Sequence, residues 1–303
     1  MRFDEPDWIA ADPSIHNVFD TLVSFLNKSS SDPGNLKEYI ADTTANLTSA
    51  GTQDPSLKQY RTESRYLFAV LLSLVQQLDA NSPEEDHLVR LVLALRDVPL
   101  PSSVSQQMDP RALENDNMNR KLSNFINVWA AIGRDAPLHP RLKDRPEHLE
   151  LHSHRLPWRQ EPGQYLSSAS WTSMNAFLAR LHVAAPDVPT LDFRALLAMM
   201  EALEQPLTPA ELEDALPPAA YWVIYAGVNL EHNDIPYASY GNNPGHNRSV
   251  WSKGVLWDGQ HAFKPARWEF WLQRFKAISE RPENTEEVRD LARRAFEVGP
   301  SLD

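Results

Sequence analysis

The side chains best suited to chemistry lie in one polar stretch of the C-terminal third. From Asn229 to Trp251 the chain carries acids, histidines and tyrosines on either side of the turn-forming run GNNPG. Such a run can bring polar side chains from both flanks together. We therefore predict a catalytic set within this stretch, made of His232, Asp234, Tyr240 and His246.

Proton transfer is the reaction that these residue types favour. Because histidine changes its charge near neutral pH, His232 or His246 beside Asp234 or Glu231 can exchange a proton with a bound substrate. A tyrosine hydroxyl can polarise or orient the substrate's carbonyl group. The same residues are also typical of a surface loop whose Asn, Asp and His side chains satisfy the turn backbone. The sequence leaves both interpretations open.

Aromatic residues surround this polar stretch, and five of the nine tryptophans lie in the last third of the chain. Tryptophan and tyrosine can line a pocket with apolar walls and a few oriented polar tips. The predicted substrate-binding residues are Trp222, Tyr225, Asn229, Tyr237, Arg248, Trp251, Trp257 and Arg267. For Arg267, the pattern favours a structural role on an indole or a carboxylate over the alternative role of clamping an anionic group of a ligand.

A metal site is a second kind of chemistry that the sequence allows. His152 and His154 lie one residue apart, with His139, Glu147 and Glu150 nearby. A His-x-His pair can present both rings to one ion, but no third ligand stands at a telling spacing. There is also no HExxH, Walker loop, GxGxxG or GxSxG motif. We expect no metal and no cofactor, and we keep a metal-dependent enzyme only as an alternative.

The composition narrows the class of protein. With 303 residues, 42% of them hydrophobic, the chain can bury a sizeable core. Its net charge of -12 includes no basic cluster, so we expect no nucleic-acid partner. The absence of cysteine excludes disulfides and thiolate sites. The acidic, proline-containing N-terminus lacks the pattern of an export signal. The longest apolar run, Leu67 to Val75, is far below the ~20 residues of a membrane span. We expect a cytoplasmic protein that is not in a membrane.

Helical periodicity dominates the rest of the chain. The strongest stripe is Leu67, Leu71, Leu74 and Leu78, which predicts a central helix. Other predicted helices are one capped by Ser14, one from Leu36 to Leu47, one that Ser82 and Pro83 begin, one through Leu122 and Trp129, one through Trp171 and Leu181, one through Phe193 and Met200, a short one from Thr208 through Leu212, and one that Lys264 and Pro265 begin.

No segment alternates with the period of a strand. We predict an all-α fold, a single large helical array of roughly ten helices in layered antiparallel hairpins that spans residues 1–303. Prolines accumulate between Pro137 and Gly163, and this region (137–163) is predicted to be a lid or a linker.

Three segments, SPEEDHLVRLVLALRDVP, WTSMNAFLARL and GVLWDGQHAFKPARWEFWLQRF, resemble the fungal family known as domain of unknown function 3632. The most specific part of the resemblance is a dense pattern of rare residues, namely Gly254, Leu256, Trp257, Gly259, Phe263, Arg267, Trp268, Phe270, Trp271, Arg274 and Phe275. Val255 departs from the family's usual proline. The resemblance implies a fungal origin and a helical fold, with some members encoded in or near secondary-metabolite gene clusters. It supplies no reaction and no catalytic residues.

These observations favour a cofactor-independent tailoring enzyme of fungal secondary metabolism. Such an enzyme, a cyclase or an isomerase, would fold a small apolar substrate in an aromatic pocket and move a proton on it. The alternative is a helical protein that binds a partner or a metabolite without chemistry.

Overall fold

The computed structural model describes residues 1–49, 55–108, 122, 125, 167–188, 191–231, 254–259 and 264–299. Within these ranges the chain forms 11 α-helices, one short 3-10 helix at Pro33–Asn35 and no strand, which confirms the predicted all-α fold. The α-helices are α1 (Asp7–Ala10), α2 (Pro13–Ser31), α3 (Leu36–Ser49), α4 (Leu57–Val75), α5 (Pro83–Arg96), α6 (Ser102–Ser105), α7 (Ser168–Ala184), α8 (Leu191–Leu203), α9 (Pro209–Glu231), α10 (Pro265–Ser279) and α11 (Glu286–Val298).

The chain divides into two compact units. Unit 1 comprises Met1–Phe177 and unit 2 comprises Leu178–Asp303. The prediction of a single domain over 1–303 stays a prediction. The predicted lid or linker at 137–163 lies outside the described residues. No helix in the described ranges is long and apolar enough to cross a membrane.

In unit 1, α2 packs against α3, α4 and α5. The predicted central helix is α4, and every residue from Phe68 to Val75 is buried. α4 begins at Leu57, where the Ser56 hydroxyl accepts the backbone N–H of Gln59, and it ends at Val75, so Leu78 of the predicted stripe lies beyond the helix. The first turns of α4 are polar, so the apolar stripe marks only the second half of the helix.

Two predicted helix caps in unit 1 need correction. Asp12, and not Ser14, is the cap of α2, and its carboxylate accepts the backbone N–H of Ser14 at 2.9 Å. The fixed φ of Pro13 suits the first position of a helix. The helix therefore begins at Pro13, before Ser14, and Asp12 takes the cap position. At α5, Ser82 occupies the cap position and Pro83 follows it as predicted, but the Ser82 hydroxyl makes no capping hydrogen bond.

Unit 2 is built from the second half of α7 and from α8 to α11, with α11 packed against both α9 and α10. The predicted short helix from Thr208 through Leu212 is wrong in length, because α9 continues for 23 residues through Pro217 and Pro218. Thr208 and Glu211 cap its start, since each side chain accepts the other's backbone N–H. Prolines in a helix interior normally end or kink it. Here a buried stretch after the prolines, from Ala219 to Val223, stabilises the continuation.

Candidate functional site

The predicted catalytic residues His232, Asp234, Tyr240 and His246 lie outside the described residues, as do Tyr237, Arg248, Trp251 and the histidines His152 and His154. These assignments stay predictions. Among the residues that the structure does describe, no group of three or more His, Asp or Glu side chains is arranged to hold a metal ion.

Three of the predicted binding residues share one face of α9. Trp222, Tyr225 and Asn229 follow each other at spacings of three and four, which places them on one side of a helix. Their exposure rises along the helix, since Trp222 is fully buried, Tyr225 is half-buried and Asn229 is exposed. The face therefore leads from the surface of unit 2 into its core.

A buried histidine meets this face at its inner end. His182, on α7, is 5% exposed, and its ring lies edge-on to Trp222 with 6.2 Å between the ring centroids. Arg180 stacks over Tyr225, with its guanidinium carbon 3.7 Å from the ring centroid. Together with Asp192 on α8, these residues form what we call the His182 cluster: Arg180, His182, Asp192, Trp222 and Tyr225.

The electrostatics of the cluster keep the imidazole neutral. Burial lowers the pKa of His182, and the nearby carboxylate of Asp192 opposes this shift. Asp192 is itself buried and stands in the first turn of α8, where the helix dipole favours a negative charge. His182 is thus an uncharged base that has a carboxylate available to stabilise the imidazolium formed when it takes up a proton.

The Nδ1 atom of His182 is buried and has no hydrogen-bond partner within the described parts of the chain. A buried polar atom without a partner costs about 1–3 kcal/mol. Eight other buried side-chain atoms of the described residues share this property, and His182 is the histidine among them. An unprotonated imidazole nitrogen can accept a hydrogen bond or a proton.

In contrast to Nδ1 of His182, a second buried polar group of unit 2 has hydrogen-bond partners within the protein. Glu204 follows α8 and is fully buried, and its carboxylate accepts four hydrogen bonds. The donors are Arg267 Nε at 2.6 Å, Arg267 Nη2 at 2.9 Å, Trp271 Nε1 at 2.8 Å and the backbone N–H of Gly254 at 2.7 Å. We call this arrangement the Glu204 anchor. It joins α8, α10 and the segment that begins at Gly254.

The anchor shows what two of the remaining predicted binding residues contact. Arg267 is fully buried and pairs with the protein's own carboxylate, which is the structural role that the sequence favoured. Trp257 is half-buried against Phe270, with 5.3 Å between the ring centroids. A Cβ atom on Gly259 would lie 2.2 Å from the Trp257 ring, so the absence of a side chain there lets the backbone pass close to the indole.

An open cleft of about 560 Å³ lies in unit 1 beside α2 and α3. Its walls are mainly polar and include Asp20, Ser24, Lys28, Tyr39 and Asp42. This composition differs from the aromatic pocket that the sequence predicts, and the cleft contains neither a histidine nor a tryptophan.

The described residues thus define an all-α protein whose C-terminal unit holds a neutral, unsatisfied histidine against an aromatic helix face. A model of the family described as "Protein of unknown function (DUF3632)" matches residues 68–275, which is more than half of the chain. The chain belongs to this family, and the predicted resemblance is confirmed. No curated protein and no solved structure matches the chain.

The pattern that carried the resemblance has a structural explanation. Gly254, Arg267 and Trp271 converge on Glu204, while Arg274 donates from Nε to the carbonyl of Leu203 at 3.1 Å. Sequence reasoning found these residues but missed their shared partner, Glu204. It also missed His182, Asp192 and Arg180. A histidine on the apolar face of a helix was the available signal, and it is more often a core residue than a catalytic one.

Proposed function

We propose that this protein is a cofactor-independent enzyme that moves a proton on a small, largely apolar substrate, as an isomerase or a cyclase of fungal secondary metabolism does. The observation that carries the proposal is the buried Nδ1 of His182, which has no partner among the described residues and belongs to a neutral ring. We add this residue as a candidate base to the predicted His232 and His246.

The reaction needs no redox partner. The Nδ1 lone pair takes a proton from a carbon next to a substrate carbonyl, and the electron pair of the broken C–H bond moves into that carbonyl as an enolate. In an isomerase, the imidazolium returns the proton to a different atom of the same substrate. In a cyclase, the enolate carbon attacks an electrophilic carbon within the same molecule, and the proton goes to the oxygen or leaving group that accepts the displaced electrons.

The surroundings of His182 suit both halves of this cycle. Burial lowers the pKa of the imidazole, so the base is unprotonated at neutral pH. Asp192 stabilises the imidazolium once it forms, because opposite charges attract strongly where water is excluded. We propose that the substrate is oriented beside Trp222, which lies edge-on to the imidazole, and Tyr225, on which Arg180 stacks.

The test is untargeted mass spectrometry of a fungal metabolite extract incubated with the purified protein. We expect one compound to decrease while an isomer of equal mass increases. His182→Phe keeps a planar aromatic ring but removes the base, and it should lower the rate by about 10²-fold or more. His87→Phe changes another buried histidine and is the matched control, which should leave the rate unchanged. Equal rates for the wild type and His182→Phe would refute the role of His182.

The alternative function is binding without chemistry, and one observation favours it. Val255 is 76% exposed and Leu256 is 38% exposed in a turn that the Glu204 anchor holds through the N–H groups of Gly254 and Leu256. An apolar turn on a fixed backbone is typical of a contact surface. Under this alternative, the wild-type protein forms a stable complex with a partner protein in size-exclusion chromatography, and Val255→Asp abolishes that complex. The wild-type protein then changes no metabolite of the extract.

A further inference from the structure

The open cleft of unit 1 lies between two rows of side chains. Asp20, Ser24 and Lys28 follow one another at intervals of four residues and so share one face of α2. Tyr39 and Asp42, three residues apart on α3, form the facing row. A second cleft of about 550 Å³ adjoins the first, since all of these residues except Asp42 line both. We call the two together the α2–α3 cleft.

The floor of the α2–α3 cleft differs from its walls. Phe25 is 1% exposed and Thr43 is 6% exposed, and both line the cleft. Tyr39 is half-buried, and its hydroxyl donates to the carboxylate of Asp32 at 3.3 Å. A tyrosine in this position presents an apolar ring beside a polar tip. The cleft therefore combines apolar surface and a buried hydroxyl group with polar walls.

The walls offer both donors and acceptors of hydrogen bonds. Lys28 carries three N–H donors and Asp42 two acceptor oxygens, and both side chains are exposed. The hydroxyl of Thr21 donates to the carbonyl of Asn17 at 2.7 Å, so its oxygen is left to accept a hydrogen bond. A ligand that fits this lining has to donate and accept at several points.

We infer that the α2–α3 cleft binds a polyhydroxylated, saccharide-like molecule that carries no acidic group. Each hydroxyl of such a molecule both donates and accepts, so it can use carboxylates, an ammonium group and hydroxyls at once. Its C–H faces suit the ring of Tyr39. The volume of about 560 Å³ lies within the range of small-molecule sites. This binding site in unit 1 goes beyond the reaction proposed for unit 2, and either can stand without the other.

The charges of the cleft exclude an acidic ligand. Asp20, Asp32 and Asp42 line the cleft together with one lysine, Lys28. A carboxylate or phosphate of a ligand would be repelled by the three carboxylates. A chain of ammonium groups would be repelled by Lys28 and would leave the hydroxyl groups of the lining without partners.

A histidine offsets part of this acidity. His16 Nε2 lies 3.3 Å from the carboxylate of Asp20, and Nδ1 lies 2.5 Å from Glu5. The hydrogen bond with Glu5, followed by the charge of Asp20, raises the pKa of His16. The protonated ring places a positive charge beside Asp20, so the cleft does not depend on a cationic ligand for its balance of charge.

The test is binding of glucose, cellobiose and trehalose to the ¹⁵N-labelled full-length protein, followed through the backbone amides by NMR. We expect at least one of the three to bind with a Kd of about 10 mM or tighter and to shift signals of α2 and α3. Glucuronate and spermidine should not displace it. The inference would be overturned by a lack of binding of all three saccharides, by shifts confined to other helices, or by preferred binding of glucuronate or spermidine.

Variants assign the binding to the cleft. Asp42→Ala should lower the affinity for the bound saccharide about tenfold, because hydrogen bonds to a charged group are strong. Tyr39→Ala removes the aromatic ring and should also weaken binding. Glu38→Ala is the matched control, since Glu38 is an exposed acid of α3 outside the lining of the cleft. Circular dichroism checks that each variant is folded. Wild-type affinity in both folded cleft variants, or an equal loss in Glu38→Ala, would refute the assignment.

Discussion

The Glu204 anchor and the His182 cluster are both buried polar groups of unit 2, and they differ in whether the protein completes them. At Glu204 the protein supplies four donors to one carboxylate. At His182 the protein leaves the buried Nδ1 without a partner in the described residues. A complete set of partners is what a structural role requires, because each unmade bond lowers stability. Trp268 Nε1, Asn284 Oδ1 and Arg289 Nε of unit 2 are also buried without a partner among the described residues, and His182 differs from them in being a titratable base beside a carboxylate.

The largest effect is expected from Glu204→Ala, which leaves Arg267 buried without its counter-charge. Breaking a buried pair in this way costs about 3–5 kcal/mol of unfolding free energy. The measurement is urea unfolding followed by circular dichroism, with Glu213→Ala at an exposed position of α9 as the control. A loss below about 1 kcal/mol would show that the Glu204 anchor does not stabilise the fold, and the proposed difference between it and the His182 cluster would be wrong.

The next largest effect tests the close backbone approach at the anchor. A Cβ atom on Gly254 would lie 2.3 Å from Cβ of Glu204 and 2.5 Å from its carbonyl oxygen. Gly254→Ala should therefore lower the unfolding free energy by about 1–3 kcal/mol. Gly34→Ala is the matched control, because its new Cβ would meet its nearest atom at 3.4 Å. Equal stability of the two variants would contradict this account of Gly254.

Glu201, one helical turn before Glu204, is a second buried carboxyl group with which the well-partnered carboxylate of Glu204 can be compared. Burial raises its pKa from 4.5 to about 8, so the carboxyl is largely protonated at neutral pH. A raised pKa means that stability falls as pH rises above 4.5, because the unfolded chain ionises first. Glu201→Gln removes this penalty. Since the side chain is half-buried, we expect a gain of about 1–2 kcal/mol at pH 8 and little change at pH 4.

The smallest effect concerns the pH dependence of His182. Its lowered pKa means that the unfolded state binds a proton more readily, so the wild type loses stability as pH falls below 6.5. His182→Phe lacks this loss. The free energy of unfolding of the variant relative to the wild type should therefore be higher at pH 5 than at pH 7. The opposite trend would mean that the folded protein favours the charged ring.

The fold was largely predictable from the sequence where the signals are local. Lys264 and Pro265 mark the start of α10, and the apolar stripe in the second half of α4 marks its buried part. The prediction failed at α9, where Pro217 and Pro218 are local signals to stop and burial against neighbouring helices outweighs them. That error placed Asn229 in a loop, although it lies on the same helix as Trp222.

The site was predictable only in part, because its contacts join distant parts of the chain. Trp222, Tyr225 and Asn229 were found because their residue types suit a pocket. Glu204 was missed because its partners lie 50, 63 and 67 residues further along the chain. His182 was missed for a related reason, since only its contact with Trp222 and the nearby charge of Asp192 distinguish it from an ordinary core histidine.

The most direct test of the central claim, that His182 is a neutral base supported by Asp192, is an NMR titration of the histidine side chains in the wild type and in Asp192→Asn. The account predicts a pKa for His182 below 6.5 in the wild type and a lower one in Asp192→Asn, because the carboxylate that favours the imidazolium has been removed. A pKa of His182 above 6.5, or a pKa that Asp192→Asn leaves unchanged, would contradict it.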